Sequence, residues 1–141
     1  MNADAGVLDA SVAIKCLLEE VGSDDARREV ALHGDWVAPD LILLEVASVA
    51  LKSMKMGLLD QAQGAALVAA TPGLLSATIS STTLCDEAFA LGATHGFSAY
   101  DAAYLALAVQ CDRSLLTADA RLVARARAGG LDRHVRLLGE A

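Results

Sequence analysis

Gly6-Val7-Leu8-Asp9-Ala10-Ser11-Val12-Ala13-Ile14-Lys15-Cys16-Leu17-Leu18 decides the class of this chain. Residues 6–9 read as a short apolar strand, and 11–18 carry apolar residues at helical spacing. The same alternation runs outward from there. Ser23-Asp24-Asp25 opens a second helix, with acids in the first turn where the helix dipole favours them. Trp36-Val37-Ala38-Pro39 is a short strand, after which Asp40 caps a long helix to about Met56. A helix follows over roughly 60–70 and stops at Pro72. The spacing then predicts a strand at 75–79, a helix at 83–94, and a helix from Ser98 to Cys111. A strand at 114–117, a helix capped by Asp119 to about Ala128 and a strand at 135–138 complete the pattern. Short apolar strands alternating with helices predict a three-layer α/β/α sandwich around a central, mostly parallel sheet. Such sheets bind ligands beyond the carboxyl ends of their strands, at a topological switch point.

The chain has 141 residues, read as a single domain over 1–141, since domains commonly run to about 100–200 residues. With 55% apolar and 21% charged residues it is too hydrophobic for intrinsic disorder. No apolar run approaches the roughly 18 residues that suggest a membrane span, and Met1-Asn2-Ala3-Asp4 lacks the basic start of a secretory signal. The expectation is a cytoplasmic domain with no membrane contact. Cys16, Cys85 and Cys111 are widely spaced and show no metal or disulfide pattern, and are read as small buried thiols. His33, His95 and His134 share no spacing that suggests a site.

Eleven Lys and Arg stand against 18 Asp and Glu, a net charge of −7. That balance argues mildly against general nucleic-acid binding, which draws its affinity from phosphate contacts. Yet Arg113, Arg121, Arg125, Arg127, Arg133 and Arg136 all fall near the C-terminal end, either as a solvated helix face or as a local basic surface.

Four acids stand out because their neighbours are apolar. Asp9 is the only charge between Asp4 and Lys15, and Glu45 the only one from Leu41 to Leu51. Asp101 is the only acid from Gly96 to Cys111, and Asp119 stands alone between Arg113 and Arg121. A buried carboxylate without a partner costs several kcal/mol. Four meeting at one sheet edge would need protons, basic partners or a cation, and Lys15 and Lys52 are too few. All-oxygen ligands suit Mg²⁺ or Mn²⁺ rather than zinc. Each acid also has a local reading. Asp9 and Asp119 stand at N-cap positions, Ser98 and Asp101 have capping-box spacing, and Glu45 shares a helix stripe with Leu41, Ser48 and Lys52. The hydroxyls of Ser11 and Thr117, each two residues from a key Asp, are placed to hold a carboxylate or a hydrated metal, or simply to serve a helix start and a strand end. Tyr100 and Tyr104 read as core or interface residues.

Val7 to Lys15, Ala38-Pro39-Asp40-Leu41 with Leu44-Glu45-Val46-Ala47, Ser98 to Ala108, and Leu116-Thr117-Ala118-Asp119-Ala120-Arg121-Leu122 together resemble PIN-domain proteins, most strongly the VapC toxins of toxin–antitoxin pairs. The resemblance spans nearly the whole chain in the right order. It implies that Asp9, Glu45, Asp101 and Asp119 form an acidic catalytic site, with Asp9, Asp101 and Asp119 as metal ligands and Glu45 in the shell or orienting a water. It further implies an Mg²⁺- or Mn²⁺-dependent endoribonuclease acting on RNA, homodimeric, and silenced by a cognate VapB-like antitoxin. Ser48 stands where many relatives carry Asn, and Cys16 where Trp is common; neither change removes an acid. Two other readings compete. A receiver-like phosphoryl acceptor would need paired acids after the first strand and a late-strand Lys, whereas Asp9 is followed by Ala10 and the late strand ends in Thr117. A non-catalytic PIN-fold module binding protein or RNA would use the same groove without turnover.

Overall fold

The computed structural model describes residues 6–140; the first four residues, read above for a leader, lie outside them. Five strands, β1 (Val7–Leu8), β2 (Val37–Pro39), β3 (Ala77–Ile79), β4 (Leu115–Thr117) and β5 (Val135–Leu137), form one sheet in the order β3-β2-β1-β4-β5. Every neighbouring pair is parallel, so the sheet is wholly rather than mostly so. Its helices are α1 (Ala10–Leu17), α2 (Ser23–Leu32), α3 (Leu41–Lys55), α4 (Gln61–Ala70), α5 (Cys85–His95), α6 (Ala99–Cys111) and α7 (Ala120–Ala128). Among the described residues no helix is long and apolar enough to cross a membrane.

The central strands are covered on both faces, which is why they read as apolar runs without alternation. Val7, Leu8, Leu115 and Leu116 are at most 1% exposed. Where β1 and β4 begin they approach very closely. A Cβ on Gly6 would lie 2.3 Å from the Ser114 carbonyl oxygen, which accepts the Val7 N–H at 3.0 Å. Helix α6 is buried from Ala102 to Ala108 without a break, the pattern of a helix packed on all sides. Its alanines let the backbone lie close to β1, β2 and β4.

Several helix ends differ from the sequence expectation. Asp40 does not cap α3: its backbone is already helical, and its carboxylate accepts the Ser81 N–H at 3.0 Å and the Ser81 hydroxyl. Pairing with β3 is the reason, since the Asp40 N–H bonds Ile79 and brings Ser81 alongside. Asp60 forms a full capping box with Gln63. Pro72 does not end the helical path at once; it sits early in a 3₁₀ turn (Thr71–Leu74), where its missing N–H costs nothing. The thiols are also less buried than expected. Cys85 and Cys111 are exposed and Cys16 half-buried, and all three are free.

Candidate active site

The chain lays β2 and β3 to one side of β1, then crosses to place β4 and β5 on the other. The switch point is therefore the β1–β4 seam. Register pairs Val7 with Leu115 and Leu8 with Leu116, so the next residues, Asp9 and Thr117, emerge together at the carboxyl edge. The Asp9 N–H bonds the Leu116 carbonyl at 3.1 Å. The Thr117 hydroxyl donates to Asp9 Oδ2 at 2.9 Å, and the Ser11 hydroxyl donates to the same oxygen. Ser11 Oγ in turn accepts the Ala118 N–H, and Thr117 Oγ1 the Asp119 N–H, each at 3.1 Å. Two backbone amides and two hydroxyls thus fix a carboxylate that is only 9% exposed. Asp9 occupies the N-cap position of α1 but makes no side-chain cap bond, so capping is not its role.

Asp119 does cap. Its Oδ1 accepts the N–H groups of Arg121 at 3.0 Å and Leu122 at 3.2 Å at the start of α7. The same exposed side chain lines one cleft with Ser11 and Lys15 and a second with Asp101. Ser98 makes only its own half of a capping box, accepting the Asp101 N–H at 3.1 Å. That leaves the half-buried Asp101 carboxylate turned to the cleft it shares with Asp119. Glu45, midway along α3, shares its stripe with the exposed Ser48 and Lys52, as the spacing predicts, but its carboxylate is not simply solvated. It is half-buried and accepts a 2.6 Å hydrogen bond from the Tyr104 hydroxyl. Tyr104 is 1% exposed in the core, and its proximity to Glu45 is what the sequence reading missed. Helical spacing puts Tyr104 one turn after Asp101, which was the available signal.

The four acids feel one another. Burial pushes the Asp9 carboxyl up, against the opposing pull of the Ser11 and Thr117 hydroxyls, and the charge of Asp119 adds to the rise. Glu45 is raised chiefly by burial; the Tyr104 hydrogen bond opposes this, and Asp9 and Asp101 raise it further. Asp101 is raised by burial and then by Asp9 and Asp119. Buried beside Glu45, the Tyr104 phenol is driven far above its ordinary range and stays a donor. Two cations near the cluster are engaged elsewhere: Lys15 reaches Glu20 and the Val21 carbonyl, and Arg125 donates to the Gly96 carbonyl at 2.6 Å.

The donor set is oxygen only, with excess negative charge, and this fits a hard divalent cation. Among the described residues, no three His, Cys, Asp or Glu side chains stand close enough to enclose an ion as placed. Mg²⁺ rarely asks for that, since it keeps several waters and takes only one or two carboxylates directly.

A family model described as the PIN domain matches residues 6–128. The chain belongs to the PIN-domain family. This PIN domain is 33% identical over 118 residues to Ribonuclease VapC3 of Pyrobaculum aerophilum, an alignment covering 82% of this chain and 90% of that protein. It is thus a VapC-like member. The crystal structure of PAE2754 from Pyrobaculum aerophilum shares its fold, with a TM-score of 0.68 over 93% of this PIN domain and 82% of that chain, at 19% identity.

Proposed function

We propose that this PIN domain is an Mg²⁺- or Mn²⁺-dependent endoribonuclease, the toxin of a VapBC-type pair whose partner is a VapB-like antitoxin in the cytoplasm. One observation carries the reading. Asp9 leaves β1 at the switch point of a parallel sheet, and Asp119 lies in the turn after the neighbouring β4. Asp101 shares a cleft with Asp119, and the mutual influence of these acids and Glu45 agrees with that placement. The name Ribonuclease VapC3 borne by a relative supports RNA as substrate and the toxin role.

Asp9, Asp101 and Asp119 would hold the cation, one or two of them directly and the rest through its waters, with Glu45 completing the shell or orienting a water. When bound, the ion would acidify the attacking water and offset charge building on the phosphodiester. The chain's own residues supply position. Ser11 and Thr117 engage Oδ2 of Asp9, and Tyr104 holds Oε1 of Glu45, so neither acid can swing away. Asp119 keeps one oxygen on its helix amides, which fixes the direction of the other.

An exposed apolar strip beside the site suits protein partners. Leu44 is 77% exposed, Phe89 76% and Tyr100 66%. A groove of about 540 Å³ lined by Leu41, Leu84, Phe89, Tyr100 and Ala103 continues it. We assign this strip to a homodimer contact, which light scattering on the purified chain tests; a monomer at all concentrations contradicts it.

The functional test is cleavage of single-stranded RNA with Mg²⁺, with Mn²⁺ and with EDTA. Cation-dependent cleavage that is lost in Asp9→Asn is the expected result. RNA binding with no turnover under any metal would instead favour a non-catalytic binding module.

A further inference from the structure

Arg121 is placed where helix energetics disfavour it. It stands in the first turn of α7, at the positive end of the helix dipole, where a cation is unfavourable. Arg125 follows at i+4, and like charges at that spacing destabilise a helix. Neighbouring arginines resolve their charge. Arg127 pairs with Glu140 and Asp132, Arg133 with Asp112, and Arg136 with Glu29. Arg125 is tethered to the Gly96 carbonyl. Among the described residues the Arg121 guanidinium alone on this helix makes no hydrogen bond or ion pair; only its backbone N–H is used, by Asp119. It is exposed, and it lines a cleft of about 120 Å³ with Phe97, Asp101, Asp119, Leu122 and Arg125. Two cations and two acids therefore share one small cleft, yet no ion pair forms between them within 4.0 Å.

A side chain that costs helix stability and pairs with nothing, beside an acidic site, has its partner elsewhere. We propose that Arg121, with Arg125 one turn on along the same helix face, grips a backbone phosphate of the RNA strand next to the one being cut. The inference rests on the ribonuclease reading above and adds to it the substrate-holding cation of a chain whose net charge is −7. The amides at the α7 N-terminus cannot serve instead, because the Asp119 carboxylate already takes them. A planar guanidinium suits the task, since it can meet a phosphate with two parallel hydrogen bonds.

The test compares wild type, Arg121→Gln and Arg121→Lys on a short single-stranded RNA with Mn²⁺, measuring kcat and KM across a range of KCl concentrations. Arg121→Gln should raise KM about tenfold with kcat within about twofold, and flatten the slope of log kcat/KM against log salt by about 0.7, the loss of one single-strand phosphate contact. Arg121→Lys, which keeps the charge, should restore the slope. The melting temperature of Arg121→Gln should equal or exceed that of wild type, because the substitution removes a helix-end cation. Unchanged KM and slope in an active Arg121→Gln, or a loss of its stability, overturns the assignment and leaves the ribonuclease reading standing. A wild-type chain that does not cleave RNA removes that reading itself.

Discussion

Asp9 shows how a single side chain is prepared for work. Its carboxyl is nearly buried, lifted toward the protonated form, and held by two hydroxyls that cannot supply the missing positive charge. Asp9→Asn keeps the shape and removes the charge. RNA cleavage should fall by two orders of magnitude or more, while the far-UV circular dichroism spectrum stays that of wild type. Tyr104 acts one step back, as a positioning residue for Glu45. Tyr104→Phe removes a single hydrogen bond to a carboxylate, so it should cost about 1.5–3 kcal/mol in urea unfolding. Cleavage should drop by roughly tenfold, and Tyr104→Phe in a Glu45→Gln background should add little, because neighbours that act as a unit are not additive. The acids themselves were legible in the sequence as lone charges in apolar runs. Tyr104 was not, because an aromatic residue inside an Ala-rich helix looks like core until the facing helix is known.

At the scale of elements, the order of strands and helices was readable because each strand is a short apolar run and each helix keeps its own spacing. The ends were harder. Asp40 carries the right residue type for a cap, yet Ser81, forty-one residues away and just past the end of β3, claims its carboxylate. Asp119 carries the same signal and does cap. What separates them is tertiary pairing, which local pattern does not contain. Helix α6 carries the tightest constraint, since Ala102, Ala106 and Ala108 on its several faces are all 0% exposed. Ala106→Leu should therefore cost about 1–3 kcal/mol by overpacking. Because α6 carries both Asp101 and Tyr104, cleavage should fall further than the loss of folded protein explains, measured on the folded fraction below the unfolding transition.

Across the whole molecule the site is a local conflict in an otherwise consistent fold. Three acids raised by burial and by one another destabilise the cation-free protein, a stability cost of the kind functional sites carry. Asp101→Asn relieves part of it. In EDTA at neutral pH it should melt higher than wild type, by about 0.5–1 kcal/mol in unfolding free energy, while cleavage is lost. The sign with pH follows from the raised carboxyl of Asp101. Above the unfolded value of 3.8, the folded chain retains a proton that the unfolded chain releases, so wild type loses stability as pH rises through its folded pKa. The advantage of Asp101→Asn should therefore shrink as pH falls toward about 4 and be full above the folded value. Cation binding should stabilise wild type by mass action and leave Asp101→Asn nearly unmoved. Crystals of wild type soaked in Mn²⁺ and recorded at the manganese absorption edge test the central claim most directly. The account predicts an anomalous peak among Asp9, Asp101 and Asp119 beyond the β1–β4 seam. A chain that cleaves RNA with Mn²⁺ yet shows no peak there, or a peak elsewhere, would contradict it.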